Sequence, residues 1–176
     1  MKGVDLPAWL QAFAAIVALG ISVWATLKST DLERRRDRLK VRGLAVAVYP
    51  ELLKFPTMIE GATRWVEQLR QNDRVLIHSV VDNLLSCQIA VPPMMERNID
   101  SFFLLGEPAG ATCLHLVSLI DQYNTLVQSV AARAIPMDAG QWHAGMDFLV
   151  QHLDLLGRVV VKAQHEVKPL HDAVRG

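Results

Sequence analysis

Residues Leu6 to Leu27, LPAWLQAFAAIVALGISVWATL, contain no charged side chain. About 20 mostly apolar residues are what a helix needs to cross the hydrocarbon core of a bilayer. The run therefore predicts a transmembrane helix, closed by Asp5 at one end and Lys28 at the other. Trp9 and Trp24 lie near its two ends, roughly 22 Å apart at 1.5 Å per residue. Indole rings favour the two membrane–water interfaces, so both are expected to be interface anchors. Pro7 falls in the first turn, where its missing N–H matters least. Ser22 and Thr26 can bond back to helix carbonyls.

Lysine and arginine set the expected direction. Only Lys2 precedes the run, whereas Lys28, Arg34, Arg35, Arg36, Arg38, Lys40 and Arg42 follow it. Basic flanks stay in the cytoplasm. This predicts a single-pass inner-membrane protein with residues 1–5 outside, a span over 6–27 and the remainder in the cytoplasm. A cleaved signal peptide would need a positive leading end, a shorter apolar core and a small-x-small cleavage site. Here the run is too long, no good Ala-x-Ala follows it, and the basic cluster lies on the wrong side. Ala14, Ala18, Ser22 and Thr26 recur every four residues. Small residues at that spacing let two helices approach closely, so a second copy of the chain is one expected partner.

Residues 28–42 carry seven basic and three acidic residues, a net of +4; residues 43–176 carry ten and fourteen, a net of −4. The neutral total thus hides a dipolar layout. The basic collar is expected to lie against anionic lipid headgroups, at about 1 kcal/mol per basic residue near the surface. No aromatic residues interleave the arginines, and the rest of the chain is acidic, so no nucleic-acid partner is expected. Thr30-x-x-Glu33 has the form of a capping box that would restart a helix. The alternative is one helix running through to about Tyr49, with Pro50 and Pro56 breaking or kinking it. Leu32, Leu39, Val46 and Leu53 repeat every seven residues, a coiled-coil spacing whose companion positions are arginine or glycine. Residues 28–55 are read as a juxtamembrane helix.

Residues 56–176 suffice for one domain with a core. Apolar residues make up 51% of the chain, which excludes disorder. Helical periodicity runs throughout: Ile59, Ala62, Trp65, Val66 and Leu69; Leu76 to Ile89; a short helix from Met94 to Gly106; Cys113 to Val130, ending at Ile135-Pro136; and Trp142 to Ala163, capped by Asp138 and ended by Pro169. An Asn72-Asp73 turn separates the first two. The expected fold is all-α: the membrane helix followed by an antiparallel bundle of four to five helices.

Chemistry-bearing constellations are sparse. His78/Asp82 and His143/Asp147 are spaced four apart, the spacing of a bundle-core metal site, but neither forms a Glu-x-x-His or His-Glu-x-x-His motif. Cys87 and Cys113 each lie on an apolar stripe, which points to packing. Ser86 and Ser118 lack a nucleophile-elbow setting, and Gly106-Glu-Pro-Ala-Gly110 lacks the lysine of a phosphate loop. Asp121-Gln122-Tyr123-Asn124 is a polar knot within a helix, read as a structural hydrogen bond between helices or else as a binding cleft. No catalytic residue, metal or cofactor is expected.

The layout of PAWLQAFAAIVALGISVWATL, a basic collar, and then a helical part containing ERNIDSFFLLGEP and LVSLIDQYNTLV resembles bacterial and phage-borne single-span proteins with a small cytoplasmic helical domain. The likeness is one of layout and implies no activity and no site residue. The leading expectation is a tethered interaction or regulatory module with a membrane or cytoplasmic protein partner. The alternatives are a membrane-active phage or defence protein of holin or exclusion type that works by oligomerising, and a metal-dependent enzyme using the His/Asp pairs.

Overall fold

The computed structural model describes residues 8–71, 77–134 and 138–174, with side chains from residue 18 in the first stretch and from residue 81 in the second. The described residues are helical and contain no strand. In chain order they form α1 (Ala8–Leu52), α2 (Phe55–Gln71), α3 (Ile77–Leu85), α4 (Pro93–Arg97), a 3₁₀ helix (Ile99–Leu105), α5 (Ala109–Arg133) and α6 (Ala139–Asp172). The chain divides into two units, Met1–Lys40 and Val41–Gly176. Within the first unit, every side chain from Ala18 to Lys40 except the half-buried Thr30 is exposed.

The second unit is a helical bundle. Helix α6 packs on both α5 and α2, α3 lies on α5, and the 3₁₀ helix rests on α5. The α5 side of the core is the predicted stripe: Cys113, Leu116, Val117, Ile120, Tyr123, Val127 and Val130 are all buried. Trp142, Met146, Leu149, Leu153, Leu156, Val160 and Ala163 answer from α6, while Val150 is only half-buried. The last turns of α1 belong to the same core through Leu44, Ala45, Val48 and Leu52. Gln164 Nε2 donates to the Leu52 carbonyl at 2.8 Å, and the Tyr49 and His171 rings meet at 4.7 Å. Each ties the end of α1 to α6.

Five boundaries differ from the sequence expectation, each for a backbone reason. Proline does not stop α1 at Tyr49 or α6 at Pro169: Pro50 and Pro169 both lie inside the final turn. A proline there removes only one hydrogen bond, next to carbonyls that lack helical partners anyway. Pro56 opens α2 instead of breaking a helix, since its missing N–H falls among the free donors of a first turn. Helix α3 ends at Leu85 and leaves Ile89 outside it, because side chains of α5 take the backbone groups of the following stretch. The segment from Met94 to Leu105 splits at Asn98, whose Nδ2 donates to the Met94 carbonyl at 2.7 Å. Asparagine offers the backbone an alternative partner in this way and interrupts helices. Gly106 then ends the 3₁₀ helix with φ +73, the left-handed region expected of a glycine there.

Two further details sharpen the packing. Trp65 is 49% exposed, about a quarter-turn off the buried Ala62–Val66–Leu69 line, so it rims the core instead of filling it. Gly110 is buried where α5 crosses the 3₁₀ helix, and a Cβ there would collide with the Phe102 carbonyl oxygen. The boundaries at Asn72-Asp73 and Ile135-Pro136 lie outside the described residues.

Candidate functional site

The candidate site is the exposed helix of the first unit. Leu19, Ile21, Val23, Trp24 and Leu27 are each more than half exposed, Leu19 at 67%. An amphipathic surface helix hides one apolar stripe in a core; among the described residues these side chains are not so covered. Three hydroxyls at the end of the stretch bond back within the helix: Thr26 Oγ1 donates to the Ser22 carbonyl at 2.8 Å, Ser29 Oγ to the Thr26 carbonyl at 2.9 Å and Thr30 Oγ1 to the Thr26 carbonyl at 2.8 Å. Thr30 is thereby engaged inside α1, so the Thr30-x-x-Glu33 pattern starts no new helix and α1 runs on unbroken. Lys28 Nζ stands 4.8 Å above the Trp24 ring, a cation–π contact at the point where the apolar stretch meets the charged one.

Among the other sequence-predicted residues, Ala18, Ser22, Lys28, Arg34, Arg35, Arg36, Arg38 and Lys40 are exposed on the same helix. The side chains of Trp9 and Ala14 lie outside the described residues. Arg42 is exposed and belongs to the second unit. Among the described residues, no helix is long and apolar enough to cross a membrane. The predicted span from Leu6 to Leu27 lies partly outside the residues described with side chains. Leu32, Leu39, Val46 and Leu53 are all at least 42% exposed, so among the described residues nothing covers the heptad positions.

The His/Asp pairs do not converge on a common point. Asp147 makes a 3.0 Å ion pair with Arg70 of α2, while His143 Nδ1 donates to the Ala139 carbonyl at 2.7 Å. His78 lies outside the residues described with side chains. Among the described residues, no group of three or more His, Cys, Asp and Glu side chains is placed to hold a metal ion. A depression of about 380 Å³ is lined by Phe148, Gln151, His152, Asp154, Leu155 and Arg158. All six come from α6, so nothing converges on it from an opposing wall as ligand sites require.

The polar knot on α5 has a specific structural use. Asn124 Oδ1 accepts from the Ile89 amide and Asn124 Nδ2 donates to the Ile89 carbonyl, both at 2.9 Å. Tyr123 Oη donates to the Cys87 carbonyl at 3.1 Å. The knot pins a non-helical segment to α5, a role that within-helix periodicity does not signal. Both cysteines are free and buried. Burial pushes the Cys87 thiol up to about 11. It pushes Cys113 up to about 12, with the nearby Glu166 carboxylate adding to the shift. Such thiols are inert as nucleophiles near neutrality. Glu166 itself is 12% exposed; its Oε2 has no partner, and Lys162 reaches the other oxygen only at 3.8 Å. Trp142 Nε1 is a second buried atom without a partner.

Compared with family models, curated proteins and solved structures, the chain finds no match.

Proposed function

We propose that the chain is a single-pass inner-membrane protein that tethers a helical bundle on the cytoplasmic side, where the bundle serves as an interaction or regulatory module. The observation that carries this reading is the exposed, uncharged apolar stretch of α1, in which the Thr26 hydroxyl is bonded to the Ser22 carbonyl. In a bilayer, unlike in water, every polar group of a spanning helix must be satisfied within the protein. The uncharged run from Leu6 to Leu27 supports it from the sequence, and Lys28 on Trp24 supplies an interfacial anchor at the boundary. The seven-to-one basic bias supports an N-out, C-in orientation. Holding a bundle at the membrane raises its effective concentration toward other membrane proteins without any new contact.

Fractionation of cells expressing the full chain tests the anchor. The protein should stay in the membrane pellet through an alkaline carbonate wash. The double substitution Ile16→Asp with Leu19→Asp should release it, since each charge near the bilayer centre costs about 2.5–3.5 kcal/mol. Wild-type chain in the wash supernatant would remove the reading. A C-terminal alkaline phosphatase fusion should be inactive, and an active one would reverse the orientation.

A further inference from the structure

The charges of residues 28–40, the part of the collar within the first unit, are not spread evenly around α1. At 3.6 residues per turn, Lys28, Asp31, Arg34, Arg35 and Arg38 fall within roughly a third of the helix circumference. Arg36, Lys40, Glu33 and Asp37 fall on the opposite side. The first face carries four basic residues and one acidic, a net of +3; the second carries two of each and is neutral. On the second face Lys40 Nζ lies 3.9 Å from Asp37; among the described residues no carboxylate comes within ion-pair reach of Arg36 there, nor of Arg34, Arg35 or Arg38 on the first face. All of these side chains are exposed.

A second observation gives the charged face a direction. Trp24 projects from the same side of the helix as the arginines, and Lys28 bridges the two by standing over its ring. The back-bonded hydroxyls of Thr26 and Ser29 lie on the neutral side. Interface-seeking indole, cation–π lysine and unpaired arginines thus form one continuous strip.

From this strip we infer that the collar meets the membrane through one face: Lys28, Arg34, Arg35 and Arg38 lie against anionic lipid phosphates, and Arg36 and Lys40 stay in water with Glu33 and Asp37. The inference rests on the membrane reading above. Magnitudes favour lipid as the occupant. Arg34 and Arg35 lie roughly 9–10 Å beyond Lys28 along the axis, and Arg38 roughly 15 Å. A headgroup layer of about 5–8 Å plus a Debye length of about 8 Å reaches all three, and a helix leaning on this face brings them nearer. Arginine presents a planar fork of donors matched to phosphate oxygens. The gain is graded, largest for the groups nearest the bilayer.

The test uses the full chain in vesicles of phosphatidylcholine, with or without phosphatidylglycerol, and a fluorophore on a single introduced cysteine. Asp31→Cys labels the charged face and Glu33→Cys the neutral one; each removes one carboxylate, so the two are matched in charge. The native thiols are buried and stay silent. With a headgroup-attached quencher, the label at 31 should be quenched severalfold more than the label at 33 in anionic vesicles. The difference should shrink without phosphatidylglycerol. R34Q/R35Q/R38Q should abolish it, while R36Q/K40Q should leave it intact. Equal quenching at both positions in a chain that floats with the vesicles overturns the proposal but not the anchor; a chain that does not float overturns the anchor. Equal quenching at both positions, together with a change of emission at 31 but not at 33 when soluble poly-glutamate is added to the detergent-solubilised chain, assigns the face to an acidic protein and overturns the lipid assignment.

Discussion

Asn124 shows what one side chain can hold. Its amide answers both the donor and the acceptor of Ile89, so removing it orphans two backbone groups beside a buried side chain. Asn124→Ala should cost about 2–3 kcal/mol, read as a lowered midpoint in urea denaturation. Asn124→Asp keeps the acceptor but loses the donor and should also destabilise. The thiols give a pH signature. With pKa values raised in the folded state from 9.0 to about 11 and about 12, Cys87 and Cys113 keep their protons when folded and release them when unfolded. The unfolded chain therefore binds fewer protons above pH 9, and stability falls as pH rises from there; below it these groups contribute no slope. Thermal melts between pH 7 and about 10 check the sign, and a melting temperature that is flat or rising across that window would contradict it. The polar character of the knot was visible in the sequence, but its partner was not. Asn124 and Ile89 are 35 positions apart, and no local periodicity encodes a side chain meeting a distant backbone.

At the scale of elements, Asp138 was legible because capping is local chemistry. Its carboxylate accepts from the Gln141 amide at 2.8 Å, and Gln141 Oε1 accepts from the Asp138 amide at 3.2 Å, a full capping box. Asp138→Ala should cost about 1 kcal/mol in a urea or thermal melt. An unchanged midpoint would mean that α6 is held by its packing alone. The buried stripes of α5 and α6 were legible for a similar reason, since 3.6-residue periodicity records which side faces a core. The ends of α1, α3 and α6 were not. Proline stops a helix decisively only in its interior, and both Pro50 and Pro169 stand in last turns. Ile89 kept helical spacing with Val81 and Leu85 yet lies beyond α3, because burial alone satisfies that spacing.

For the molecule as a whole, the charge division between the collar and the rest of the chain was plain from composition, but the division around the collar helix was not, because it needs the helix to be continuous through Thr30. The exposed heptad leucines border the arginine face, so like charges oppose pairing there, and the repeat alone is a poor guide to assembly. The Asn124 clamp has a last consequence for the bundle. The Ile89 N–H sits in a segment without helical bonds, where amides ordinarily trade hydrogen for deuterium quickly. Sealed by an α5 side chain against a buried residue, it should exchange only when the packing around α5 opens, at a rate close to that of the innermost α5 amides. One loop amide would then report cooperative opening, and fast exchange there in the intact protein would mean that this stretch breathes independently of the core.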